Sequence, residues 1–111
     1  MVSEEDYLPY VDDLLLETIG DVLNQVFGEN AAKTILRHMK KSSSLKWDEI
    51  PGRIEVFAES LQKILGQGAV IIEDLILETL CQKFGLELES NRNSGFKDSI
   101  MGLRNRLERE R

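Results

Sequence analysis

The apolar positions of this chain recur at helical rather than strand spacing. Ile50, Ile54, Phe57, Ala58, Leu61, Ile64 and Leu65 close into an arc of roughly 120° on a helical wheel, the stripe of a helix that packs by one side. Near the N-terminus, Tyr7, Leu8, Val11, Leu14, Leu15, Leu16, Ile19, Val22, Leu23, Val26 and Phe27 spread over roughly 220°. That is wider than a surface helix needs. Either this helix is central in a bundle, or a second chain covers part of its face.

Local signals divide the rest. The first helix is predicted from about Pro9, a good first-turn residue, to Phe27, with Gly28 as its end. A second follows Asn30 as N-cap and turns Ala31, Ala32, Ile35, Leu36 and Met39 inward until Ser42, Ser43 and Ser44 break it. The third begins in WDEIPGRIEVF, with Asp48 as cap and Pro51 in the first turn. Gly66 and Gly68 permit a reversal into a fourth, Ala69 to Phe84, stopped by Gly85. This helix is apolar on most sides and belongs at the centre. After the polar loop LESNRNSG, a fifth carries the narrow stripe Phe96, Ile100, Leu103 and Leu107 and frays in a charged end. No alternating run of useful length reads as a strand, although Leu86 to Leu88 could be briefly extended. The expectation is an all-α, single-domain bundle of about five helices over residues 1–111.

Composition agrees with one core: 111 residues, 41% hydrophobic and 31% charged. The single Cys81 forms no internal disulfide and has no metal-ligand spacing around it, so it reads as a small core residue in a reducing compartment. No apolar run approaches the roughly 20 residues that cross a bilayer, and MVSEEDY is acidic where a secretory signal is basic. The expected setting is the cytoplasm.

Charge changes the picture more than composition does. Residues 1–32 hold eight acids and no bases, residues 33–46 five bases and no acids, within a net charge of −6. An acidic body disfavours nonspecific nucleic-acid binding, yet Lys33, Arg37, Lys40, Lys41 and Lys46 form a local basic segment. Its bland reading is complementarity to the dipole at a helix C-terminus; its functional reading is contact with an anion or a partner.

Two polar residues stand out within the helices. Glu73 points into the richest apolar arc of the fourth helix, where it either satisfies backbone N–H groups of the first turn or faces a polar partner or small pocket. His38, the only histidine, borders the apolar arc of the second helix and is the candidate partner for that carboxylate. Asp12 to Ile19 (DDLLLETI) and Glu73 to Leu80 (EDLILETL) share five of eight residues, which gives the first and fourth helices similar central roles. Trp47 reads as a packing staple at the start of the third helix or as an interface anchor.

Enzyme signatures are absent from the sequence. GQGA lacks the lysine and the preceding strand of a phosphate loop, and one His with one Cys does not populate a hydrolase or metal site. No catalytic residue, cofactor or metal is therefore expected.

The runs FGENAAKTILRHMKK and WDEIPGRIEVFAESLQKILGQGAVIIEDLI supply one resemblance. With Phe27, Gly28, Ala31, Ile35, His38, Ile50, Pro51, Phe57, Leu61, Gly66, Gly68, Ala69, Ile72 and Glu73 in register, residues 27–85 resemble a small archaeal all-helical domain of the Nitrosopumilus output domain group. The resemblance implies a regulatory or signalling output module and brings no catalytic residues. No receiver domain is expected beside it, which argues against direct phosphorelay output.

The leading expectation is a noncatalytic regulatory or protein-interaction module that self-associates, as a dimer, around the first and fifth helices. The alternatives are a nucleic-acid-binding protein using the basic 33–46 segment, with a helix-turn-helix between the second and third helices, and a small-ligand sensor built on His38 and Glu73.

Overall fold

The computed structural model describes residues 4–85 and 95–109. Over that span the chain forms α1 (Glu4–Phe27), α2 (Glu29–Ser43), α3 (Ile54–Leu65), α4 (Gly68–Phe84) and α5 (Gly95–Arg109). Two one-turn 3-10 helices, Trp47–Glu49 and Pro51–Arg53, join α2 to α3. No strand occurs among the described residues. The loop around Leu86 to Leu88 and Ser94, and the side chains of Tyr7, Leu8 and Leu107, lie outside them.

Glycine sets the main break between α1 and α2. Gly28 takes φ 86°, a conformation that side chains with a Cβ resist, and lets the path turn within one residue. Its N–H still donates to the Asn24 carbonyl at 2.8 Å, while its carbonyl accepts from Ala32 N–H at 3.0 Å. Gly28 therefore closes one helix and opens the next, and α2 begins before Asn30 rather than after it. At the other end, α1 begins at Glu4 and not near Pro9. A proline this close to the terminus forfeits one backbone hydrogen bond without stopping the helix.

The third helix also departs from expectation. Pro51 has no N–H for the helical ladder, and Arg53 leaves helical geometry at φ −133° and ψ 46°, so the α-helix starts only at Ile54. The preceding residues fold as short turns, with Ile50 N–H donating to the Trp47 carbonyl at 3.3 Å and Arg53 N–H to the Ile50 carbonyl at 3.1 Å. Asp48 makes no side-chain cap.

Packing shows why two helices need so much apolar surface. α1 lies against α2, α4 and the Pro51–Arg53 turn, and α4 lies against α1, α3 and α5. Both are central. Val11, Leu15, Ile19, Val22 and Leu23 of α1 are buried, and one continuous core unites residues from all five helices. Ile19, Leu23, Phe57, Leu61 and Ile76 are wholly excluded from solvent. The matched segments behave alike here: Leu15 and Ile19 in α1 and Ile76 and Leu80 in α4 occupy corresponding positions, and all four are buried.

Two polar side chains within this core keep partners, as burial demands. Thr18 Oγ1 donates to the Leu14 carbonyl at 2.8 Å. Ser60 Oγ meets Ser43 Oγ at 2.8 Å and so ties the end of α2 to α3.

α5 closes the bundle through Phe96, Ile100 and Leu103, all buried against α3 and α4. Phe96 meets Phe57 with ring centroids 6.3 Å apart and planes tilted by 41°, within the favourable range for aromatic pairs. Lys97 Nζ lies 3.1 Å from Glu55 of α3, and Lys83 Nζ of α4 lies 3.2 Å from Asp21 of α1. These exposed ion pairs fix orientation more than they stabilise.

Truncation at the centre of this core has a defined consequence. Phe57→Ala, which empties the site beneath Phe96, is expected to lower stability by about 3–5 kcal/mol. Ile71→Ala, on the exposed side of α4, is expected to change it by less than about 0.5 kcal/mol. Urea unfolding followed by far-ultraviolet circular dichroism measures both.

Candidate functional site

Between the C-terminal half of α2 and the Trp47–Glu49 turn lies an open groove of about 510 Å³. Its floor is apolar: Leu36 and Met39 from α2, Leu45 and Ile50 from the connecting segment. Met39, Leu45 and Ile50 are otherwise buried, so the floor is continuous with the core. One wall is Trp47, still 40% exposed. A Cβ on Gly20 would lie 3.4 Å from Trp47 Cη2, which places the indole directly over the one residue of α1 that has no side chain there.

Hydrogen bonds of ordinary length span the connecting segment. Ser44 adopts the left-handed conformation at φ 53°, and its N–H caps α2 on the Met39 carbonyl. Arg53 Nη1 donates to the Ser44 carbonyl at 3.1 Å and lies 3.6 Å from Glu49 Oε1. Glu49 in turn bonds Lys46 twice: its Oε1 accepts the Lys46 N–H at 3.0 Å, and its own N–H donates to the Lys46 carbonyl at 3.0 Å. Burial of Leu45 and Ile50 in the core sets the segment, and with it the backbone of Lys46 and Trp47, in place before any ligand arrives.

The rim is basic. Arg37, Lys40 and Lys46 line the groove together with Asp48. No ion pair or hydrogen bond occupies these three cationic groups among the described residues. Lys40 stands with Lys41 in the last turn of α2, where both complement the helix dipole as expected, while the hydrogen bonds at that end come from Ser44 N–H to the Met39 carbonyl and Ser42 Oγ to the His38 carbonyl at 2.8 Å. The other basic residues are placed elsewhere. Lys33 pairs with Glu29 of its own helix at 3.3 Å, and Lys41 is exposed without lining the groove.

The proposed partnership of His38 and Glu73 does not form. His38 is exposed on α2, which packs on α1 and α3, whereas Glu73 lies on α4 facing α5 and α3. No hydrogen bond joins them. Glu73 instead lines a second, smaller hollow of about 290 Å³ with Glu55, Glu59, Gln62, Phe96, Lys97 and Asp98. It lies beyond the first turn of α4, which starts at Gly68, so free backbone N–H groups are out of its reach. Burial, followed by the neighbouring Asp74 carboxylate, holds the Glu73 carboxyl above the usual carboxylate range. Lys97 does not offset this, since it is engaged by Glu55.

One further expectation is corrected. The helix-turn-helix between α2 and α3 is not built, because residues 44–53 form two 3-10 turns where that motif has one tight turn. The surface expected to self-associate around the first and fifth helices falls partly on the side chains of Tyr7, Leu8 and Leu107, outside the described residues. Among described large apolar residues, α1 leaves only Val26 exposed and α5 only Met101, while Trp47, Val70 and Ile71 are exposed on other elements.

The groove itself was not read from the sequence. Its cations were named there, but nothing local shows that Arg37 and Lys40 face Lys46 across an apolar floor. Trp47 two residues after a buried leucine was the one available signal. Among the described residues, no group of three or more His, Cys, Asp or Glu side chains is arranged to hold a metal ion, and no helix is long and apolar enough to cross a membrane. No family model, curated protein or solved structure matches this chain.

The Glu73 environment makes a signed prediction. A carboxyl held above its unfolded value contributes stability when protonated, and that contribution is lost as pH rises through the folded value. Glu73→Gln, which cannot ionise, is therefore expected to be more stable than the parent at neutral pH. The difference should shrink as pH falls through the carboxylate range. Thermal unfolding of both proteins across that range checks the sign.

Proposed function

We propose that this chain is a noncatalytic regulatory or protein-interaction module, with the groove beside Trp47 as its docking site for a partner protein. The observation that carries this reading is the conjunction of an apolar floor, a half-exposed tryptophan and three unpaired cations on one preformed surface. Partly buried aromatic and arginine side chains are the usual anchors of protein interfaces. The resemblance to the Nitrosopumilus output domain group supports the same reading, as a signalling output module of archaeal type. A cytoplasmic protein with one buried thiol fits it as well.

The nucleic-acid alternative draws on the same cations but meets an unfavourable surround. Asp48 sits on the groove rim, and the chain as a whole holds 20 acids against 14 Lys and Arg. A phosphate backbone running past the groove would meet these acids. A protein segment ending within it would not.

Photo-crosslinking tests the proposal in intact cells of the native host. With p-benzoylphenylalanine replacing Asp48, the expected result is a discrete protein adduct that disappears when Arg37→Glu and Lys40→Glu are added. The same group replacing Ile71, exposed on α4, should not give that adduct. Absence of an adduct from position 48, or the same adducts from both positions, overturns the docking site. An adduct with nucleic acid would instead establish the alternative.

A further inference from the structure

We infer that the segment bound in the Trp47 groove is an acidic peptide stretch carrying large apolar side chains, its carboxylates meeting Arg37, Lys40 and Lys46. This inference rests on the groove being a docking site and adds the chemistry of its occupant.

The groove itself specifies that chemistry. Arg37 and Lys40 are three residues apart on α2 and so rise from the same side of the helix, while Lys46 reaches the groove from the connecting segment. Cationic groups thus stand on two borders of one apolar floor. A segment with alternating apolar and acidic positions satisfies both at once: its apolar side chains displace water from Leu36, Met39, Leu45 and Ile50, and its carboxylates reach the rim. A volume of about 510 Å³ lies in the range of pockets that enclose whole ligand groups. It is ample for one or two large side chains.

Asp48 also lines the groove and repels a carboxylate placed against it, so the occupant's acidic positions meet the three cations and its apolar side chains meet the floor and Trp47. A basic segment is rejected by the three cations, and a purely apolar one leaves them without partners. Against a net charge of −6, the groove gathers three cations at one surface, which favours attraction of an acidic segment there.

Because Trp47 is the only tryptophan in the chain, its fluorescence reports directly on the groove. The full chain is titrated with a synthetic peptide in which Leu and Phe, spaced to share one side, alternate with Glu and Asp. Two controls replace its acids by Gln and Asn, or its Leu and Phe by Ser. A third titration uses a single-stranded oligonucleotide.

The expected result is a saturable change in Trp47 emission with the acidic apolar peptide, weakened about tenfold or more by either replacement and by added salt. Arg37→Gln with Lys40→Gln should cause a loss of similar size. Both side chains are exposed, and helical circular dichroism confirms that the variant is folded. Equal binding of the amide-substituted peptide, binding of the oligonucleotide in preference to the peptide, or no saturable change with any probe would overturn the inference. If position 48 crosslinks a partner through a segment without acids, only the occupant's chemistry fails and the docking site stands. If no crosslink forms, both fail.

Discussion

Everything in this fold depends on excluding water from a single core to which every helix and the α2–α3 connection contribute. Ile19, Leu23, Phe57, Leu61 and Ile76 form its dry centre. Leu45 and Ile50 extend it into a segment that contains no α-helix. Burial of those two side chains is what fixes the connection, because the hydrogen bonds of Arg53 and Glu49 are exposed and worth little alone. The position of Trp47 follows from the core. So does the groove, whose floor is the edge of that core left uncovered between α2 and the first 3-10 turn.

The architecture was legible in the sequence wherever a residue's local chemistry decides its role. Gly28 and Gly85 end helices in the structure with positive φ, as their positions relative to the apolar runs imply. The nearly uniform apolarity of α4 placed that helix at the centre, where it lies, while the wide arc of α1 left open a central place or cover by a second chain, and its packing on α2 and α4 makes it central. Proline was less informative. Pro9 lies inside α1, and Pro51 introduces a separate turn before α3, because the effect of proline depends on which carbonyls its missing N–H would have served.

The candidate sites show where such reading stops. Glu73, expected to point into the richest apolar arc of its helix, is half-buried and lines a hollow with Glu55, Glu59, Gln62, Lys97 and Asp98 from α3 and α5, which no helical wheel contains. His38 points away from it into solvent. The basic segment was legible as five cations, but only folding separates Lys33, paired with Glu29, from the three that share the groove. The reading of this surface as a docking site joins those cations to a Trp47 held over Gly20. Rigid support of that kind lowers the ordering cost of binding and suits recognition better than chemistry.

The most direct test of the central claim concerns the electrostatic character of the surface around Trp47. The single tryptophan of the free protein can be quenched by iodide and, separately, by caesium at matched ionic strength. A half-exposed indole that lines the same groove as Arg37, Lys40 and Lys46 stands where anions gather despite the overall net charge of −6, so iodide is predicted to quench more efficiently than caesium. Stronger quenching by caesium, or none by either ion, would contradict the basic, open groove from which the functional reading is built.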